Sequence, residues 1–136
     1  MNWKKLKNCN CGNPDVALLL MRLMLALGFI VPGWMKFNDL AGTAVFFAKV
    51  GLPGWLCPII AFIELFGGLA MLLGVATHWA GKLLALNMLG AVVVATWPQG
   101  GLMASELPLA FLVLALGISM MGPGKYTFAW LMKRKA

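Results

Sequence analysis

The sequence predicts an all-α integral membrane protein, a four-helix bundle with both termini in the cytoplasm. Three observations lead there. Of the 136 residues, 62% are hydrophobic and 11% are charged, against about 25% charged in an ordinary soluble domain. The apolar residues fall into runs that meet or approach the roughly 20 residues a helix needs to cross a bilayer. The basic residues gather beside those runs. A domain this short leaves roughly a third of its unfolded-chain surface exposed, so a water-soluble fold could not hide the apolar surplus. Lipid accommodates it, and a single transmembrane domain over residues 1–136 is expected.

The first helix is read from about Val16 to Phe37, with Arg22 as its interior charge. Lys4, Lys5 and Lys7 precede it as in a signal peptide, but the apolar run is long enough to span and no small-residue cleavage pattern closes it; it is expected to be retained. Between Asn38 and Trp55 there is room for a short interfacial helix over about Gly42 to Val50, with Phe46 and Phe47 at headgroup depth. The second helix runs from about Leu56 to Ala76 and carries Glu64. A tight turn at Ala76–Trp79 leads into the third, Trp79 to Trp97. Trp97-Pro98-Gln99-Gly100-Gly101 is turn chemistry, and separates it from the fourth, Leu102 to Met121. Gly122-Pro123-Gly124 stops that helix. Residues 1–15 and 122–136 form basic tails, the second with Tyr126, Phe128 and Trp130 beside Lys133, Arg134 and Lys135.

Orientation follows from the retention of basic loops in the cytoplasm. With both termini inside, Lys4, Lys5, Lys7, Lys82, Lys125, Lys133, Arg134 and Lys135 fall on one side and only Lys36 and Lys49 on the other. Trp34, Trp55, Trp79 and Trp97 all mark helix ends, where indole rings favour the interface. The net charge of +7 therefore reads as a membrane-surface feature and not as a nucleic-acid footprint. Cys9, Cys11 and Cys57 make no metal motif, and the lone His78 lacks companion ligands. No metal site is expected. There is no nucleophile elbow, phosphate loop or HExxH, so soluble catalytic chemistry is excluded.

Charges inside a bilayer cost at least a few kcal/mol each and seek partners in the bundle interior. At 1.5 Å per residue, Arg22 lies about 9 Å above the inner end of its helix and Glu64 about 12 Å below the outer end of its own. A bidentate Arg22–Glu64 pair is expected, with Asn87 satisfying what remains. A second, outer layer joins Lys36 to Glu106, with Asp39 nearby. Arg22, Ala26, Phe29, Gly33 and Lys36 recur at steps of four and three on one face of the first helix, and Glu106, Ala110, Val113 and Gly117 do so on the fourth. Such layers either fix helix register or form a functional site, and Lys36 and Glu106 are close enough to the interface to snorkel.

The run from Leu20 through Arg22 to Gly28, then Pro32-Gly33-Trp34-Met35-Lys36-Phe37 and Phe46-Phe47-Ala48-Lys49-Val50-Gly51-Leu52-Pro53, resembles the DoxX family of small four-helix bacterial membrane proteins. Ala61-Phe62-Ile63-Glu64-Leu65-Phe66-Gly67-Gly68, Leu73-Gly74, Glu106 and Gly122-Pro123-Gly124-Lys125-Tyr126 extend the resemblance from Val16 to about Phe128. Family members commonly carry a histidine where this chain has Pro32. The family takes its name from a likeness to membrane subunits of a thiosulfate:quinone oxidoreductase, and some relatives are linked to oxidative-stress defence. The resemblance thus implies a redox-associated accessory subunit of an inner-membrane oxidoreductase complex, contacting quinone and associating with other membrane subunits or with itself. Two other readings stay open: a structural or assembly subunit, and a small proton or anion transporter or channel.

Overall fold

The computed structural model describes residues 13–135, and every regular element among them is helical. Helix α1 (Pro14–Asn38) begins where the Asn13 side chain accepts from the Asp15 amide at 3.0 Å. Pro14 fits its first turn, where a missing N–H is harmless. The helix continues through Pro32 and carries Lys36 in its last turn. Asp39 then reverses the chain and caps α2 (Leu40–Lys49), its Oδ1 accepting from the Gly42 amide at 2.9 Å. Helix α3 (Leu56–Leu73) stops at Gly74, whose φ of 70° is open to glycine and strained for other residues. Helix α4 (Thr77–Gly90) passes into a π-helical segment, Ala91–Thr96, and on into α5 (Trp97–Met121). Helix α6 (Phe128–Lys135) follows a loop through Gly122-Pro123-Gly124.

Three stretches are long and apolar enough to cross a membrane: Pro14–Asn38, Leu56–Leu73 and Thr77–Met121. The last has 45 residues, which would reach about 68 Å if straight, over twice the hydrocarbon thickness. It folds back instead. Gly100 and Gly101 leave helical geometry, Gly101 at φ 59° and ψ −136°. Beside the break, Thr96 Oγ1 lies 2.8 Å from Ser105 Oγ. At the far end His78 Nδ1 donates to the Ser119 carbonyl at 2.9 Å, and Ser119 Oγ returns a hydrogen bond to the His78 carbonyl at 2.8 Å. The two arms are therefore antiparallel. The sequence places the break over all of Trp97 to Gly101, whereas the helix runs on to Gln99 and only the two glycines depart from it.

The core is built from Leu25, Ala26 and Phe29 of α1, Met71 of α3, Leu84 of α4, and Phe111, Ala115 and Ile118 of α5. Lipid is as apolar as this core, so close backbone approach and polar links must hold the helices together. Glycines supply the approach. A Cβ at Gly33 would lie 2.8 Å from the Leu65 nitrogen, and one at Gly81 would lie 2.7 Å from the Ala115 carbonyl oxygen. Leu20, Leu27, Val113 and Met120 face outward, as lipid contact requires.

Candidate functional site

The register between α1 and α3 decides which charges meet. Gly33 packs on Leu65 and Gly68 packs on Ile30, so antiparallel alignment sets Glu64 level with Trp34 and Arg22 just beyond the end of α3. About 12 residues of α1 then separate Arg22 from the level of Glu64, roughly 18 Å. No guanidinium reaches that far, and the expected Arg22–Glu64 pair does not form. Glu64 instead makes an ion pair through Oε2 with the Lys36 ammonium, while its Oε1 accepts from Asn87 Nδ2 at 2.9 Å. Glu64 is 3% exposed, and both carboxylate oxygens are partnered. Three elements, α1, α3 and α4, thus converge on one carboxylate.

Arg22, 1% exposed, is satisfied by backbone carbonyls. Its Nε donates to Met71 at 2.9 Å, Nη2 to Leu72 at 3.1 Å, and Nη1 to Pro123 at 2.7 Å and Tyr126 at 2.8 Å. Met71 and Leu72 lie in the last turn of α3, where carbonyls lack i+4 amide partners within the helix and the helix end carries partial negative charge. This cluster ties α1 to the end of α3 and to the loop after α5. Lys125 adds to it from the same loop, its amide donating to Asp15 Oδ1 at 3.0 Å.

Glu106 is exposed and has no ion pair among the described residues. The expected pairing with Lys36 fails for a geometric reason. Phe111 of α5 packs on α1, with ring centroids of Phe29 and Phe111 5.7 Å apart. Glu106 lies five residues earlier, about 140° around the helix. The stripe Glu106, Ala110, Val113 faces outward, and the buried stripe is Phe111, Ala115 and Ile118. The stripe expected on α1 does face inward, from Arg22 through Ala26, Phe29 and Gly33.

Lys36, Glu64 and Asn87 are the polar side chains lining a cavity of about 590 Å³. Phe46, Phe47 and Val50 of α2 and its exit cover one side of it, Ile60 and Ile63 of α3 the second, and Ala91, Val93, Val94 and Ala95 of the π-helical segment the third. The π segment is unreadable in the sequence, because Ala-Val-Val-Val-Ala-Thr has no feature that distinguishes an i→i+5 turn from an α turn. Such turns concentrate at functional sites. Leu86, 65% exposed, and Val93, 62% exposed, also line the cavity. A smaller cavity of about 280 Å³ near α6 is lined by Leu19, Leu72, Phe128 and Leu131 among others and holds no charged side chain. Among the described residues, no three His, Cys, Asp or Glu side chains converge as metal ligands. Lys4, Lys5, Lys7, Cys9 and Cys11 lie outside the described residues.

The family model described as DoxX matches residues 17–97, a stretch that holds Arg22, Lys36, Glu64 and Asn87. The chain belongs to the DoxX family. It is 32% identical over 108 residues to CatD of Bacillus subtilis (strain 168), a protein provisionally named an oxidoreductase, covering 79% of this chain and 81% of CatD. It is 31% identical over 126 residues to the inner membrane protein YqjF of Escherichia coli (strain K12), covering 89% of this chain and 95% of YqjF. A shorter likeness, 29% over 70 residues, is to ATP synthase subunit a of Ehrlichia chaffeensis, and spans 52% of this chain and 29% of that one. No solved structure matches. The membrane location of this DoxX-family chain rests on its apolar helices together with the inner-membrane relative.

Proposed function

We propose that this protein is a single DoxX domain crossing the bacterial inner membrane four times with both termini in the cytoplasm, and that it serves a membrane oxidoreductase complex as a redox-associated accessory subunit holding a quinone in the α2–α3–π pocket. The observation that carries this is the Lys36–Glu64–Asn87 cluster in an otherwise apolar cavity that the outward-exposed Leu86 and Val93 also line. Its volume lies within the roughly 300–1,000 Å³ of small-molecule pockets, which pair an apolar lining with a few convergent polar groups. A molecule that enters past the exposed Leu86 and Val93 of the spanning helices comes from the bilayer. The residues fit a quinone, with Lys36 and Asn87 offering N–H groups to a ring carbonyl and the Phe46 and Val93 side chains packing against the ring and tail. A bound quinone would supply electron and proton carriage, while the protein supplies binding and orientation. The name of CatD points the same way. In the proposed orientation, Lys82, Lys125, Lys133 and Arg134 lie at the bundle end shared by the start of α1 and the end of α3, and Lys36 and Lys49 at the other.

The test is purification from native membranes in mild detergent, followed by mass spectrometry of extracted lipids and copurifying proteins and by an absorbance spectrum. Quinone at near-stoichiometric amount and an oxidoreductase partner are expected. A preparation free of both would overturn the proposal in favour of an assembly subunit, for which Arg22 and its four carbonyl partners provide the structural rationale.

A further inference from the structure

The redox state that the pocket prefers can be read from which polar atoms remain free. Lys36 donates one of its three N–H groups to Glu64, and its side chain is 24% exposed, against 4% for Glu64. An ammonium has donors only. Glu64 sits behind it with both oxygens engaged. Asn87 must turn its NH₂ toward Glu64, since an ionised carboxylate can only accept. That leaves one amide hydrogen and the carbonyl oxygen of Asn87, one donor and one acceptor, which favour neither partner type. Lys36 lines the cavity with more of its side chain exposed than Glu64; the face of the cluster open to the cavity is therefore richer in donors than in acceptors. The pair is neutral overall, so the cavity imposes no net charge on its ligand.

We infer that the pocket selects a neutral head bearing carbonyl acceptors over the same head bearing hydroxyl groups, and so binds oxidised quinone in preference to quinol, with Lys36 as the residue that discriminates. The inference rests on the quinone reading above. A ring carbonyl receives the Lys36 hydrogen bond and has no proton of its own to place. A quinol hydroxyl accepts less well and brings an O–H for which the acceptors are the Asn87 oxygen and the remaining lone pairs of Glu64, whose side chain is only 4% exposed behind Lys36. A hydrogen bond to a charged donor is worth about a tenfold change in affinity or more. For a two-electron couple, a tenfold preference for the oxidised form lowers the potential of the bound couple by about 30 mV.

The test is anaerobic titration of the full chain in lipid nanodiscs with decylubiquinone and, separately, with decylubiquinol, read as quenching of tryptophan fluorescence. The expected result is a quinone Kd about tenfold below the quinol Kd. Equal affinities, or tighter quinol binding, overturn this inference and leave the quinone pocket standing. Binding of neither form overturns both. Lys36→Gln keeps a donor for Glu64 but adds an acceptor at the cavity wall, and should bring the ratio close to one; a ratio unchanged in a variant that still binds quinone would remove Lys36 from the discrimination. If that variant does not fold, the wild-type ratio still decides between the two forms.

Discussion

Replacing Glu64 tests the charge pairing that the fold rests on. Glu64→Leu takes the acceptor from Lys36 and Asn87 together. Breaking a buried ion pair from one side costs about 3–5 kcal/mol, because the remaining charge is left without compensation. Lys36 lies in the last turn of α1 and is partly exposed, so its ammonium can swing toward the interface. That relief brings the expected loss to about 2–3 kcal/mol. Lys36→Met combined with Glu64→Leu removes both charges and should come within about 1 kcal/mol of the wild type, since apolar replacement of a whole buried pair is often near neutral. Lys36→Met alone leaves the buried Glu64 without its cation and should cost about 3–5 kcal/mol, so the coupling between positions 36 and 64 is at least about 4 kcal/mol, while that between 22 and 64, roughly 18 Å apart, stays within about 0.5 kcal/mol. Unfolding in mixed micelles of rising SDS fraction, followed by tryptophan fluorescence, gives the four free energies of each cycle. Strong coupling of Glu64 to Arg22 with none to Lys36 would refute the register and restore the pairing that the sequence suggests.

Further substitutions probe the rest of the bundle in the same assay. Arg22→Lys keeps the charge but loses the planar fork that serves four carbonyls, and should cost about 2–4 kcal/mol; an unchanged midpoint would mean the cluster carries no stability. Gly81→Ala puts a methyl against the Ala115 carbonyl oxygen and the Ser119 Cβ, and should cost about 1–3 kcal/mol as α4 and α5 are pushed apart, visible as a lowered midpoint. Glu106→Gln should stay within about 0.5 kcal/mol of the wild type, as surface changes do; a larger loss would point to a partner that the described residues do not contain. Deleting Val94 removes the extra residue of the π turn. The helix should persist by circular dichroism while quinone binding in nanodiscs is lost, and full binding by the deletion variant would show that the π wall does not shape the pocket.

Much of the architecture is legible because bilayer energetics are written in composition. The apolar runs behind α1 and α3 follow from spanning length, and the inward stripe of α1 is visible at steps of four and three, whereas the sequence carries the second helix on to about Ala76 although Gly74 ends α3. The same logic misleads on α5. In lipid both faces of a helix are apolar, so the stripe Glu106, Ala110, Val113 looks like an interface although Phe111, Ala115 and Ile118 form it. All four inward candidates other than Glu106 are placed in polar clusters, but their partners depend on register, which is set by where Gly33 and Gly68 let backbones touch. The partners of Arg22 are illegible for another reason. They are main-chain carbonyls, two of them about a hundred residues away in a loop whose Gly-Pro-Gly sequence reads only as a helix stop. His78, which the sequence shows only as a lone histidine without companion ligands, links α4 to α5 because Ser119 sits opposite it.

Photolabelling with a quinone that carries an azido group on its ring tests the pocket most directly. The protein is illuminated in nanodiscs and the labelled peptides are mapped. Labels should fall on the cavity wall, at Phe46–Val50, Ile60–Glu64 or Asn87–Ala95, and should be competed away by unlabelled quinone. Labels confined to outward residues such as Met103 or Met120, insensitive to competitor, would contradict the placement of a quinone at Lys36, Glu64 and Asn87.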